Sequence, residues 1–185
     1  MLEAFLTSTL LVAIAEMGDK TQLLSFALTA RLKQPRAIVA GILVATLANH
    51  ALAGWVGAWI AQFIEPDLMR IITAAAFAAF GLWALIPDKL DGEPEAGPRG
   101  AFVTTLVAFF FAEMGDKTQF ATIALGARYE SLLAVVTGTT LGMMIANVPA
   151  VYLGGKLADR VPLAAMRWVS AALFLGTAAW TLLSR

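Results

Sequence analysis

The chain has no cysteine, a single histidine (His50) and few charged residues, which make up 14% of its 185 positions. Without cysteine it has no disulfides, thiolate nucleophiles or cysteine-ligated zinc or iron–sulfur sites, so metal would need oxygen ligands or His50. The 13 basic residues balance the 13 acidic ones, and no basic patch interleaved with aromatics occurs, which excludes a nucleic-acid-binding protein. No nucleophile, base and orienting residue occur together, so no enzyme is predicted.

Long apolar stretches are abundant: 59% of the residues are hydrophobic and the mean hydropathy is +0.77. About 20 apolar residues suffice to cross the hydrocarbon core of a bilayer. We therefore predict an all-α polytopic membrane protein, surrounded by lipid, with six transmembrane helices. These spans are expected near residues 4–29, 37–63, 68–87, 101–127, 132–157 and 163–183.

The chain is an internal duplication, because adding 97 to a residue number aligns its halves without gaps. Aligned pairs are Ala4-Phe5 with Ala101-Phe102, Arg31 with Arg128, Gly41 with Gly138, Gly57 with Gly154, Met69-Arg70 with Met166-Arg167, and Trp83 with Trp180. Three spans per half would make the second half enter from the opposite face, as two inverted three-helix repeats. We predict repeats at 1–87 and 101–185, joined by a cytoplasmic linker at 88–100, together forming one transmembrane domain.

Lysine and arginine outside the repeated motif predict the orientation. Positive residues concentrate on the cytoplasmic side of membrane proteins. One side carries eight: Arg31, Lys33, Arg36, Lys89, Arg99, Lys156, Arg160 and Arg167. The other side carries three: Arg70, Arg128 and Arg185. The first side is therefore expected to be cytoplasmic, with both termini outside.

The heptapeptide Glu-Met-Gly-Asp-Lys-Thr-Gln occurs at Glu16 to Gln22 and again at Glu113 to Gln119, each time within an apolar run. Placing such charges in lipid costs several kcal/mol unless they are paired or bound. On a continuous helix the polar side chains of each copy would share one face. Gly18 and Gly115, however, permit a helix break that would free backbone carbonyls.

If the two copies meet in an inverted pair, their carboxylates surround one cavity suited to a hard divalent cation. Each lysine follows its glutamate by four residues, a spacing that allows the two to pair across one helical turn, although the sequence does not decide whether they do. Four carboxylates and two ammoniums leave about two negative charges, which one divalent cation or two protons would neutralise. We predict metal ligands at Glu16, Asp19, Glu113 and Asp116, assisted by Gln22 and Gln119, with Gly18, Lys20, Thr21, Gly115, Lys117 and Thr118 completing the motifs.

Other polar residues of the spans are weaker candidates. Ser25 and Thr122 are expected to line the cavity, whereas Asn49, His50 and Asn147 are secondary ligands, proton relays or helix-to-helix hydrogen-bonding groups. Small residues at four-residue spacing, Ala37, Gly41 and Ala45 and also Gly138 and Gly142, predict close helix packing.

Three interpretations of the motifs remain open at this point. They form a metal-transport site, or they are counter-charges in an exporter of a basic amino acid or small organic cation. Alternatively, they are buried ion pairs in a non-transporting membrane scaffold.

Both motifs fit the pattern Glu-x-Gly-Asp-Lys/Arg-Thr/Ser, and the duplicated chain resembles the family of human transmembrane protein 165, yeast GDT-one and their bacterial and chloroplast relatives. The resemblance implies a secondary transporter of Mn²⁺ or Ca²⁺ in exchange for protons, with the acidic motif residues forming the translocation site. It implies no prosthetic group, since the metal is the transported substrate. The short linker resembles that of bacterial manganese exporters in the cytoplasmic (inner) membrane. A homo-oligomer is compatible with this resemblance, which does not specify the oligomeric state.

Overall fold

We obtained the structure as a computed structural model, which describes residues 1–87, 100–153 and 163–183. These ranges contain eight helices and no strand, which confirms the all-α prediction. The predicted linker, apart from Gly100, lies outside the described residues. The helices are α1 Leu2–Glu16, α2 Lys20–Leu32, α3 Pro35–Ala61, α4 Pro66–Trp83, α5 Gly100–Glu113, α6 Lys117–Arg128, α7 Leu132–Leu153 and α8 Leu163–Leu183.

Three of the described helices are long and apolar enough to cross a membrane: α3, α7 and the part of α8 from Ala165 to Leu183. Where the first and fourth spans were predicted, the structure has the helix pairs α1/α2 and α5/α6. Both interruptions fall inside the repeated heptapeptide. In the part of the chain that the structure describes, the two halves therefore have the same order of helices: a broken pair and then two single helices.

The interruptions depend on glycine. Gly18 has a φ of 85° and Gly115 a φ of 79°, values that disfavour residues with a Cβ atom. Helices α1 and α5 therefore end at the motif glutamate, and α2 and α6 start after the motif aspartate. The interpretation of each motif as a continuous helix with one polar face was wrong, and the chain breaks at the two glycines that permit it.

Two helix contacts correspond to each other in the two halves: α1 lies against α7, and α5 lies against α3. A Cβ atom added to Gly138 would lie 2.6 Å from the carbonyl oxygen of Phe5, and one added to Gly41 would lie 2.8 Å from that of Phe102. Since both residues of one contact are displaced by 97 from those of the other, the same contact occurs twice. Close packing at these glycines is confirmed.

The interior contains two apolar clusters. One includes Phe77 of α4 and Phe174 of α8, whose rings stack with centroids 6.4 Å apart, together with residues of α1, α6 and α7. The other includes Leu28 of α2, Ile42 of α3 and Phe109 of α5. Helices α4 and α8 pack on each other, and they also contact α6 and α1, respectively.

Polar residues lie inside the bundle and large apolar residues lie on its surface. The motif carboxylates are almost completely buried. By contrast, at least half of the surface of Trp55, Trp59, Phe111 and Leu133 is exposed. Extended apolar exposure is costly in water but suits a lipid-facing surface. The distribution agrees with the composition in indicating a membrane protein.

Candidate metal-binding site

The repeated motifs meet in the interior. Glu16, Asp19 and Asp116 are buried, and each offers a carboxylate oxygen that lies within 4.8 Å of those of the other two. Two of these residues belong to the first copy and one to the second. The expected meeting of the motifs is therefore observed for three of the four predicted carboxylates.

The helix breaks determine how the carboxylates are presented. Glu16 is the last residue of α1 and Asp19 precedes α2, with a backbone hydrogen bond of 3.1 Å from the Asp19 N–H to the Glu16 carbonyl. Glu113 and Asp116 repeat this arrangement, also at 3.1 Å. The glutamates thus lie at helix C-termini, whose partial negative charge attracts cations, whereas the aspartates lie at helix N-termini, which favour anions.

Both lysines form ion pairs with the other copy of the motif. Lys20 Nζ lies 3.0 Å from Asp116 Oδ1, and Lys117 pairs with Asp19. Lys20 pairs with Asp116 and not with Glu16 as the spacing allowed, because the chain between Glu16 and Lys20 is not helical and four residues no longer place them one turn apart. Two crossed ion pairs, rather than pairs within each copy, connect the motifs.

Motif threonines hold the glutamates. Thr21 donates to Glu16, and Thr118 donates to Glu113 at 3.2 Å and to Asp116 at 3.4 Å. Glu113 lies outside the three-carboxylate group but is connected to it through Thr118. Within the described ranges, Oε1 of each glutamate is buried and accepts no hydrogen bond. Since buried acceptors are nearly always satisfied, these two oxygens are suited to a cation or a proton.

The glutamines stabilise the breaks. Gln22 Oε1 accepts the Gly18 N–H at 2.9 Å, and Gln119 Oε1 accepts the Gly115 N–H at 2.8 Å. The amide oxygens that were predicted to assist a metal therefore bind the backbone. Gln22 Nε2 donates to the Ala146 carbonyl at 3.1 Å, and Gln119 Nε2 donates to Asn49 at 3.5 Å.

The secondary polar residues have diverse surroundings. Ser25 donates to Asn147 Oδ1 at 2.8 Å and so connects α2 with α7. Thr122 donates to the Thr118 carbonyl one turn back at 2.8 Å, the usual behaviour of a helical hydroxyl. Asn49 donates to the Phe110 carbonyl at 3.0 Å. His50 is buried, and neither ring nitrogen has a hydrogen-bond partner among the described residues.

Arg167, one of the basic residues expected on the cytoplasmic side, lies within α8 and lines a crevice beside Asp19, Lys117 and Ser170. Ser170 donates to the Ile14 carbonyl at 2.8 Å, which fixes α8 against the end of α1. The position of Arg167 beside the motif was not predicted. A signal was present in the sequence, since Arg167 falls inside the predicted span 163–183 and a charge within a span indicates function.

Comparisons with known proteins agree with these features. The family model described as "Divalent cation/proton antiporter GDT1" matches residues 4–92 and 101–185, which confirms the resemblance stated from the motifs. The chain is 53% identical over 165 residues to the "Putative manganese exporter" of Vibrio cholerae, covering 89% of this chain and 82% of that protein. It is 32% identical to GDT1-like protein sll0615 of Synechocystis, covering 87% of each chain, and 26% identical to GDT1-like protein 4 of Oryza sativa subsp. indica, covering 95% of this chain and 72% of that protein. No solved structure matches the chain significantly.

Proposed function

Since the chain belongs to the GDT1 family of divalent cation/proton antiporters, we propose that it exports Mn²⁺ across a bacterial inner membrane in exchange for protons. The similarity to a protein named for manganese export supports Mn²⁺ over Ca²⁺ as the principal substrate. Both ions accept carboxylate oxygens, so Ca²⁺ is a second substrate to test.

One observation carries the proposal: carboxylates from both motifs converge in the buried interior, with oxygens of Glu16, Asp19 and Asp116 within 4.8 Å of one another. Like charges this close are costly in a poorly hydrated site unless a cation or protons neutralise them. Glu113 supplies a fourth carboxylate next to this group through Thr118. Oxygen ligands from several carboxylates are suited to a hard divalent cation.

The crossed lysines give the site an internal cation in the absence of metal. Lys20 and Lys117 occupy oxygens of Asp116 and Asp19, so an entering metal competes with them. After metal release, the lysines and incoming protons would reduce the repulsion among the carboxylates. Metal and protons would then occupy the same site in turn, which is the requirement for exchange.

We further propose that each broken helix pair acts as one span, which gives six spans as two inverted three-helix repeats with both termini outside. Broken helices that meet in the membrane interior are typical of ion sites in transporters with inverted repeats. The duplicated contacts of Gly41 and Gly138 support a symmetry relation between the halves. Rocking of one repeat against the other would expose the carboxylates to each side alternately.

The small size of the crevice at Asp19 favours an ion over an organic cation. The crevice that borders Asp19 has a volume of about 10 Å³, which is room for about one water molecule. A basic amino acid would require a much larger opening. This difference supports metal transport rather than the export of an organic cation.

The test is Mn²⁺ flux into proteoliposomes under an imposed pH gradient, with a fluorescent reporter for each ion. We expect Glu16→Gln and Asp116→Asn to abolish flux in protein that still folds, since each removes a charged ligand. Glu65→Gln is the matched control, because Glu65 is exposed and outside the motifs. Unchanged flux in the two motif variants would refute the site. If the two motif variants failed to fold and the wild type showed no metal-dependent flux, the result would instead support a structural scaffold.

A further inference from the structure

Arg167 occupies a distinctive position beside one copy of the motif. It lies half-buried in α8 and lines the water-sized crevice together with Met17, Gly18, Asp19 and Lys117. Three residues further along, Ser170 binds the Ile14 carbonyl at 2.8 Å, just before the break in the first motif. The hydrogen bond fixes α8 against the end of α1, next to the crevice that Arg167 lines.

The charges around this crevice are unbalanced. Asp19 contributes one carboxylate, whereas Lys117 and Arg167 contribute two cations. An arginine stays charged under all physiological conditions. Glu16 and Asp116 lie within 4.8 Å of Asp19 and add negative charge. Arg167 therefore lowers the attraction that a divalent cation would feel on approaching Asp19 through the crevice, and the poorly hydrated surroundings strengthen this effect.

The equivalent residue of the first half, Arg70, has different surroundings. It pairs with Asp67 at 3.3 Å and lines a cavity of about 500 Å³ together with Arg128 and Glu130. The sequence explains the difference, since the counterpart of Asp67 in the second half is Ala164. Arg167 thus has no carboxylate three residues before it, whereas Arg70 does. The two arginines occupy the same repeat position, but of the two only Arg167 lines the crevice at the motif.

We infer that Arg167 is an electrostatic gate, which repels divalent cations from the Asp19 side of the site and thereby keeps metal movement coupled to protons. This inference rests on the proposed transport function. It assigns a role in coupling to a residue outside both motifs. Arg167 does not bind the metal in this scheme; it prevents metal from passing without exchange.

The first test measures Mn²⁺ leak from loaded proteoliposomes after the pH gradient has been collapsed. We expect Arg167→Gln to raise this uncoupled efflux about 3- to 10-fold, the effect of removing one nearby charge, and Arg167→Lys to leave it near the wild-type level. Arg70→Gln is the matched control and is expected to leave the leak unchanged. Equal leak in Arg167→Gln and Arg70→Gln would overturn the gate. No coupled flux in the wild type would instead refute the proposed function.

The second test leaves Arg167 in place and uses the natural absence of cysteine. Met17 lines the crevice, and Met114 is its repeat counterpart, so Met17→Cys and Met114→Cys form a matched pair. Each single-cysteine protein is treated with anionic and cationic methanethiosulfonate reagents of similar size. We expect the rate ratio of anionic to cationic reagent to be about 3- to 10-fold higher at position 17. Equal ratios would overturn the gate, independently of any transport measurement.

Discussion

The two copies of the motif are identical in sequence but lie in different surroundings. The side chain of Lys117, which pairs with Asp19, is 5% exposed, whereas that of Lys20, which pairs with Asp116, is 27% exposed. The Lys117–Asp19 pair is therefore more deeply buried than the Lys20–Asp116 pair, although it borders the narrow crevice beside Arg167. The two crossed ion pairs differ in the burial of their lysines.

The difference originates in the helices around the motifs. Ser170 of α8 binds α1 next to the first copy, and Arg167 borders the same region. Gln22 is held by the Ala146 carbonyl of α7, whereas Gln119 is held by the side chain of Asn49 on α3. The motifs provide the chemistry of the site, and the different surroundings of the two copies provide its asymmetry.

The largest expected difference between the copies concerns the lysines. Lys117→Met leaves Asp19 buried without its ion-pair partner, and breaking a buried pair costs about 3–5 kcal/mol. Lys20→Met also leaves a buried carboxylate, since Asp116 is 2% exposed, but the lysine it replaces is 27% exposed, so solvent screening makes this pair the weaker one and the cost smaller. The free energy of unfolding in lipid–detergent micelles, measured by denaturant titration, should therefore fall much further for Lys117→Met.

Each lysine variant serves as the control for the other, since both remove the same charge from the same motif position. A third variant, Lys33→Met, removes an exposed lysine outside the motifs and should have little effect. Equal destabilisation by the Lys20 and Lys117 variants would show that the two ion pairs do not differ in burial, and the comparison would fail.

Much of this arrangement could be predicted from the sequence. The duplication, the helical class and the two acidic motifs are visible because they repeat at a fixed offset, and a break at Gly18 and Gly115 was a reasonable alternative for glycines within long apolar runs. The meeting of Glu16, Asp19 and Asp116 was predictable as well, since buried charges require partners.

The pairing of the lysines was harder to predict from the sequence. A spacing of four residues indicates contact only along an unbroken helix, and the break moves Lys20 towards Asp116 on another segment. Arg167 was missed because its charge was used only to predict the orientation. Contacts between halves depend on tertiary packing, and local periodicity carries no information about which α8 residue faces α1.

An intermediate effect is expected from the glycine of the second break. Gly115→Ala forces a residue with a Cβ atom into a φ of 79°, at a cost of about 1–2 kcal/mol. Gly100→Ala is the matched control: Gly100 has a φ of 75°, and at both positions an added Cβ would meet nothing within 4 Å. We expect similar losses of unfolding free energy, but a loss of Mn²⁺ flux only for Gly115→Ala. A normal flux in that variant would show that the break can change without affecting the site.

The smallest expected difference concerns the supports of the two glutamines. Asn49→Ala removes a side chain that binds both Gln119 and the Phe110 carbonyl, and a hydrogen bond of this kind contributes about 0.5–1.5 kcal/mol. Gln22 is held instead by a backbone carbonyl, which no side-chain substitution removes. Asn49 therefore supports the second copy of the motif selectively.

A double-mutant cycle can isolate this selectivity. We expect Asn49→Ala and Gln119→Ala to be coupled by about 0.5 kcal/mol or more in unfolding free energy, because each residue binds the other. Asn49→Ala and Gln22→Ala should be additive within about 0.3–0.5 kcal/mol, since Gln22 is supported from α7. Equal coupling of Asn49 to both glutamines would mean that the copies share one hydrogen-bond network, and the asymmetry would then be confined to the lysines and Arg167.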